Sequence, residues 1–191
     1  IIALCGYYDD AVRIHAAATV ENLAQNNQLS GELVDLGVLT PLKEMLKTQK
    51  HHCVLRSVKA MQALAKDSEN QKLIVKENLI PHLLKKAHCG VDEIEEAVTL
   101  TLALLAQNSV NRPKLMFHGG FKPLIYNMEY GKTEGIKEEA KKVVANLFKL
   151  PGAKRNELVR KAADKFKGGM AAGGGDTYGG YGGGGGGDGG G

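Results

Sequence analysis

Six histidines (His15, His51, His52, His82, His88 and His118) and three cysteines (Cys5, Cys53 and Cys89) are the side chains best suited to acid–base, nucleophilic or metal chemistry in this chain. Their spacing favours none of these. The cysteines are odd in number and far apart, with no close pair of the zinc-knuckle kind. They read as reduced, mostly buried thiols of an intracellular protein. His51 and His52 fall at a helix start and are expected to face water. His88 and Cys89 are neighbours, so on a helix they point in different directions, and no third ligand is close in sequence. No Ser, Thr or Cys stands out beside a base as an activated nucleophile. The glycine runs near the end lack the Lys-Ser/Thr ending and the strand–turn–helix setting of a phosphate loop. The chain therefore reads as non-enzymatic, with no cofactor and no metal.

Composition directs attention to the elements instead. The chain has 191 residues, 43% hydrophobic and only 5% aromatic, with no Trp. That length suffices for one continuous core. The core must be built from Leu, Val, Ile and Ala, whereas strand-rich domains draw on more aromatic and β-branched residues. No apolar run reaches the roughly 18 residues of a membrane span. A cytoplasmic location is expected.

Self-similarity is the main signal. Leu23, Leu64, Leu105 and Leu147 each close an apolar helical run, at steps of 41, 41 and 42 residues. Pro41, Pro81 and Pro123 keep nearly the same step, as do Gly37, Asn78 and Gly120. Gly, or Asn in its place, tolerates the left-handed conformation that ends a helix. The Pro that follows suits the first turn of the next helix, where its missing N–H costs nothing. Counting back eleven, seven and three residues from each closing Leu gives Val12, Ala16, Val20; Cys53, Ser57, Met61; Ile94, Val98, Leu102; and Ile136, Ala140, Val144. That spacing is one stripe of a helix facing a core. The repeating unit is a short helix (28–36), a second helix (40–48) and a long helix (53–66). The same units recur at 70–77, 81–88 and 93–108, then at 111–118, 122–130 and 135–149. A period near 40 predicts a helical solenoid. Ile1-Ile2-Ala3-Leu4 reads as the tail of a preceding second helix, and further repeats upstream of Ile1 are expected, because a repeat cannot hide its apolar face alone.

The runs Glu21-Asn22-Leu23-Ala24-Gln25-Asn26 and Leu104-Leu105-Ala106-Gln107-Asn108 resemble the end of the third helix of an armadillo repeat. Val34-Asp35-Leu36-Gly37-Val38-Leu39-Thr40-Pro41-Leu42 and Phe117-His118-Gly119-Gly120-Phe121-Lys122-Pro123-Leu124 are similar to the family's turn between its first two helices. The resemblance covers about residues 1–160. Three-helix units separate it from the two-helix HEAT repeats. It implies an all-α, right-handed superhelical solenoid of armadillo-like repeats, whose long helices line an inner curve that holds protein segments.

Positions nine, five and one before each closing Leu share a second face of the long helix. In turn they are Ile14, Ala18, Asn22; Leu55, Lys59, Ala63; Glu96, Leu100, Leu104; and Glu138, Lys142, Asn146, with Gln62 adjacent. In the family's nuclear import adaptors, ladders of Trp five before and Asn one before the closing Leu clamp a basic peptide. Here Asn22 and Asn146 match the Asn position, Ala63 and Leu104 do not, and there is no Trp. Asn22, Lys59, Gln62, Leu100, Lys142 and Asn146 are the candidate protein-binding residues of this face.

Residues 1–131 balance 14 basic against 14 acidic residues, whereas residues 132–167 hold 11 basic and 5 acidic. A helix over 154–167, seamed by Leu158, Ala162 and Phe166, caps the stack and presents Arg155, Arg160 and Lys161 to an acidic surface of a partner. Residues 1–167 thus form the solenoid with its basic end. Residues 168–191 contain 16 Gly among 24 residues and read as a disordered tail that cannot repay its ordering entropy. With no Arg or Lys in that tail, nucleic acid is disfavoured as the main partner. The expectation is a scaffold or adaptor in a larger assembly. The family's axonemal members and the basic end point to a cytoskeletal or ciliary one. The alternatives are RNA or anionic-membrane binding through the basic helix, and a cochaperone-like or nuclear-transport adaptor.

Overall fold

A computed structural model describes residues 1–119 and 121–147, the side chains of 121–123 excepted. The basic helix expected over 154–167, with Arg155, Arg160 and Lys161, and the glycine tail over 168–191 lie outside the described residues. Within them every regular element is a helix: α1 (Ile2–Cys5), α2 (Asp10–Leu23), α3 (Asn27–Asp35), α4 (Leu39–Lys47), α5 (His51–Leu64), α6 (Ser68–Lys76), α7 (Ile80–Lys86), α8 (Asp92–Gln107), α9 (Arg112–Phe117), α10 (Phe121–Tyr130) and α11 (Glu134–Leu147). Three units of two shorter helices and one long helix follow a leading pair, α1 and α2. The expected boundaries hold to within two or three residues, and none of the helices is long and apolar enough to cross a membrane.

Each unit starts and stops for local reasons. Asn26 accepts from the Gln28 and Leu29 amides, and Asp67 accepts from those of Glu69 and Asn70. Asn108 accepts from the Val110 amide at the equivalent place. These side chains satisfy amides that no helical carbonyl can reach. At the far end of α3, Gly37 has φ 85°, its N–H donates to Val34, and that of Val38 reaches back to Leu33. Asn78 repeats the turn after α6 with φ 57°. This is the two-bond closure by which a left-handed residue stops a helix. In the third unit Gly119 is left-handed, φ 74°, whereas the expectation fell on Gly120. Gly120 itself lies outside the described residues.

The long helices α2, α5, α8 and α11 lie side by side in chain order, and the second helices α4, α7 and α10 back them. In α5 and α8 the whole predicted stripe is buried: Cys53, Ser57, Met61 and Leu64, then Ile94, Val98, Leu102 and Leu105. In α2 the stripe is looser, with Ala16 and Val20 buried but Val12 and Leu23 only half-covered. Among the described residues α2 has a long-helix neighbour, α5, on one side. In α11 Val143 is buried and the expected Val144 half-covered. Two of the three thiols, Cys5 and Cys53, are buried; Cys89, expected with them, is exposed just beyond the end of α7.

Polar bonds stitch one unit to the next with the same period. Asn70 donates to the Ser30 hydroxyl at 2.8 Å and to the Leu64 carbonyl at 3.2 Å. Forty-one residues on, Asn111 donates to the Gln71 and Leu105 carbonyls at 3.3 and 3.2 Å. Their neighbours Gln71 and Arg112 donate to the carbonyls of Ala65 and Ala106. Each side chain ties the end of a long helix, and Asn70 and Asn111 also tie the preceding unit. Asn127 does the same on the second-helix layer, donating to the Ala87 carbonyl at 2.7 Å.

Candidate functional site

The long helices put the predicted face residues at consecutive steps along one surface. Between α5 and α8 lies a hollow of about 300 Å³, lined by Lys59, Gln62, Glu93, Glu96, Ala97 and Leu100. A smaller hollow of about 110 Å³ lies between α2 and α5, lined by Glu21, Gln25, Lys59, Gln62, Ala63 and Lys66. Lys59 and Gln62 thus stand on a ridge shared by two successive depressions. Three of the predicted residues, Lys59, Gln62 and Leu100, meet in the larger hollow. Asn22 is exposed near the end of α2, Lys142 is exposed on α11 and Asn146 is half-buried there. None of these three lines either hollow.

The chemistry of the larger hollow is mixed. Leu100 is half-exposed and sits beside the buried Ala97, which gives an apolar floor. Glu93 and Glu96 from α8 stand opposite Lys59 and Gln62 from α5 without closing an ion pair across the gap. Near the smaller hollow, by contrast, charges are already engaged. Arg56 pairs with Glu21 at 3.5 Å, and Lys66 donates to the Gln25 side chain at 2.7 Å. Lys142 pairs with Glu139 on its own helix. The α5–α8 hollow therefore keeps both signs of charge available over an apolar floor. A segment laid there has a place for one apolar side chain and for charged groups on either side.

Sequence reasoning did not single out Glu93. It lies twelve residues before the closing Leu105, one step earlier on the face pattern, and its place among three acids in the first turn of α8 reads as helix-dipole compensation. Glu96 was placed on the face by its spacing but not among the chosen residues. Asn70 and Asn111 were also missed, although their spacing of 41 matches the repeat. Among the described residues no group of three or more His, Cys, Asp or Glu is placed to hold a metal ion.

Solved structures share this arrangement. A designed armadillo repeat protein in complex with the peptide (KR)4 matches with a TM-score of 0.75 and 21% identity, over 87% of this chain and 72% of that one. A computationally designed armadillo repeat protein for modular peptide recognition matches at 0.76 and 20%, over 87% and 71%. A third, described as an engineered protein, matches at 0.76 and 18%, over 85% and 67%. No family model and no curated protein matches the chain. At these identities the likeness is one of fold. The chain is an all-α solenoid with an armadillo-repeat-like superhelical fold.

Proposed function

We propose that this chain is a non-catalytic adaptor of the armadillo class that holds an extended protein segment across α2, α5, α8 and α11. The observation that carries the reading is the α5–α8 hollow, with its apolar floor at Leu100 and Ala97 and its uncommitted charges at Lys59, Glu93 and Glu96. Gln62 offers an amide that both donates and accepts, suited to a peptide backbone. Asn22, Lys142 and Asn146 extend the same face at its two ends. The designed proteins with this fold, one of them solved with a bound peptide, support the choice of a peptide as the occupant. Arg155, Arg160 and Lys161 would add attraction to an acidic region of the same partner. A cytoplasmic setting within a cytoskeletal or ciliary assembly is the placement that the sequence resemblance suggests.

Selection of peptides from a random display library against the full chain tests the proposal. Selected peptides should lose about tenfold in affinity on Leu100→Ala, the equivalent of roughly 1.4 kcal/mol. Lys59→Glu should weaken or redirect them, and Lys76→Glu on α6 should leave them unchanged. Peptides indifferent to Leu100 and Lys59 would contradict the proposal.

A further inference from the structure

Away from the long-helix face, a third and larger hollow of about 540 Å³ opens between the ends of α4 and α7. It is lined by Leu46, Lys47, Gln49, His82, Lys85, Lys86, His88 and Cys89. Three lysines and two histidines are among these residues and no carboxylate is, although the buried Glu95 stands behind His88 at 3.8 Å. Lys47 pairs with Glu44 beside the hollow at 2.5 Å. Lys86 donates to the Thr48 carbonyl at 3.2 Å, which orders its ammonium without neutralising it. Lys85 is exposed and, among the described residues, has no acid paired with it. His82 is half-buried on the wall. Burial first, then the fields of Lys47, Lys85 and Lys43, hold its imidazole below the usual histidine range, with Glu44 acting the other way. The helix dipole favours cations in the last turns of α4 and α7. It does not require two helices to aim theirs into one cavity, where like charges repel.

We infer that this hollow binds a small molecule bearing several phosphate groups, a chemistry shared by soluble inositol phosphates and the headgroups of phosphoinositide lipids. Lys85 and Lys86 reach the hollow from α7 and Lys47 from α4, where Glu44 already holds it, so a ligand with several phosphates can engage the two α7 lysines and compete with Glu44 for the third. Lysine engages phosphate as a point charge, and the hollow has no Arg to fork a planar carboxylate. Its volume lies within the roughly 300–1,000 Å³ of small-ligand sites. Gln49 and His82 add neutral donors beside the charges. The inference does not depend on peptide binding at the α5–α8 hollow.

Calorimetric titration of the full chain with inositol hexakisphosphate tests it. The wild type should bind saturably, with one molecule per chain. Lys85→Gln removes an exposed charge without breaking a bond, so it should keep its circular dichroism and thermal melt yet bind about tenfold more weakly. His82→Gln should also weaken binding, while Lys141→Gln on α11 should not change it. Two source arms follow. Chain released from phosphatidylinositol-bisphosphate vesicles by soluble inositol hexakisphosphate would assign a lipid headgroup. Binding of the soluble ligand with no vesicle binding would assign a free phosphorylated ligand. Both outcomes support the site. Absence of saturable binding, an equal loss in Lys141→Gln, or tighter binding of polyglutamate than of inositol hexakisphosphate would overturn it.

Discussion

Asn111 shows how much of the stack depends on single polar side chains. It is 2% exposed, and its amide holds the Leu105 and Gln71 carbonyls together. Asn111→Ala strands the Leu105 carbonyl at the end of α8 and removes the tie to Gln71 on the preceding unit; it should cost about 1–3 kcal/mol, read as a fall in the urea midpoint. A loss within error of zero would mean that water replaces the amide there. Asp10 works at a junction nearer the start. It pairs with Arg13 on its own helix and with Lys50 across to the next unit, and the Lys50 hydrogen bond does most to hold its pKa below the ordinary 3.8. A carboxylate with a depressed native pKa contributes stability that is complete above the unfolded value and fades as pH falls through the native one. The wild type should therefore lose stability relative to Asp10→Asn only below about pH 4; a difference that persists unchanged to pH 2 would show that charge is not the cause. These residues were partly legible in advance. Asn70 and Asn111 carry the period of 41 in plain view. Nothing in their type, however, separates an interior staple from the solvated polar residues of a helix start.

The helices themselves were the most legible level, because caps, stops and apolar stripes recur in phase. Gly37 and Asn78 were assigned left-handed conformations from residue type and spacing, and both adopt them. At the third stop Gly119 is left-handed, and Gly120 lies outside the described residues. Asn78 allows a direct check. A side chain at φ 57° is strained unless it is Gly or, less so, Asn. Asn78→Ala should destabilise by about 1 kcal/mol, and Asn78→Gly should be neutral or slightly stabilising. Thermal melts in the opposite order would show that the Asn78 side chain, and not its backbone, secures the α6–α7 turn. Burial was less legible at the ends of the stripe. The half-covered Val12, Leu23 and Val144 follow from which neighbours a helix has, and one helix's own sequence does not contain that.

For the whole molecule, the central claim is that a shared face of long helices takes a protein segment. Periodicity placed Lys59, Gln62 and Leu100 on that face, and they meet at one hollow. It could not place Glu93, whose first-turn position has a sufficient local reason, nor show that Asn22, Lys142 and Asn146 stand apart from the hollow. The larger basic hollow at α4 and α7 was out of reach for the same cause. Lys47 and Lys85 become neighbours only when two units stack. The most direct measurement is a methyl NMR titration of the full chain with a display-selected peptide. The account predicts saturable shifts of the Leu100 and Ala97 methyls, with Ala63 following on α5. Leu36 and Val110, exposed on turns beyond α3 and α8, should stay still. Shifts at Leu36 or Val110 with Leu100 and Ala97 unmoved would contradict it.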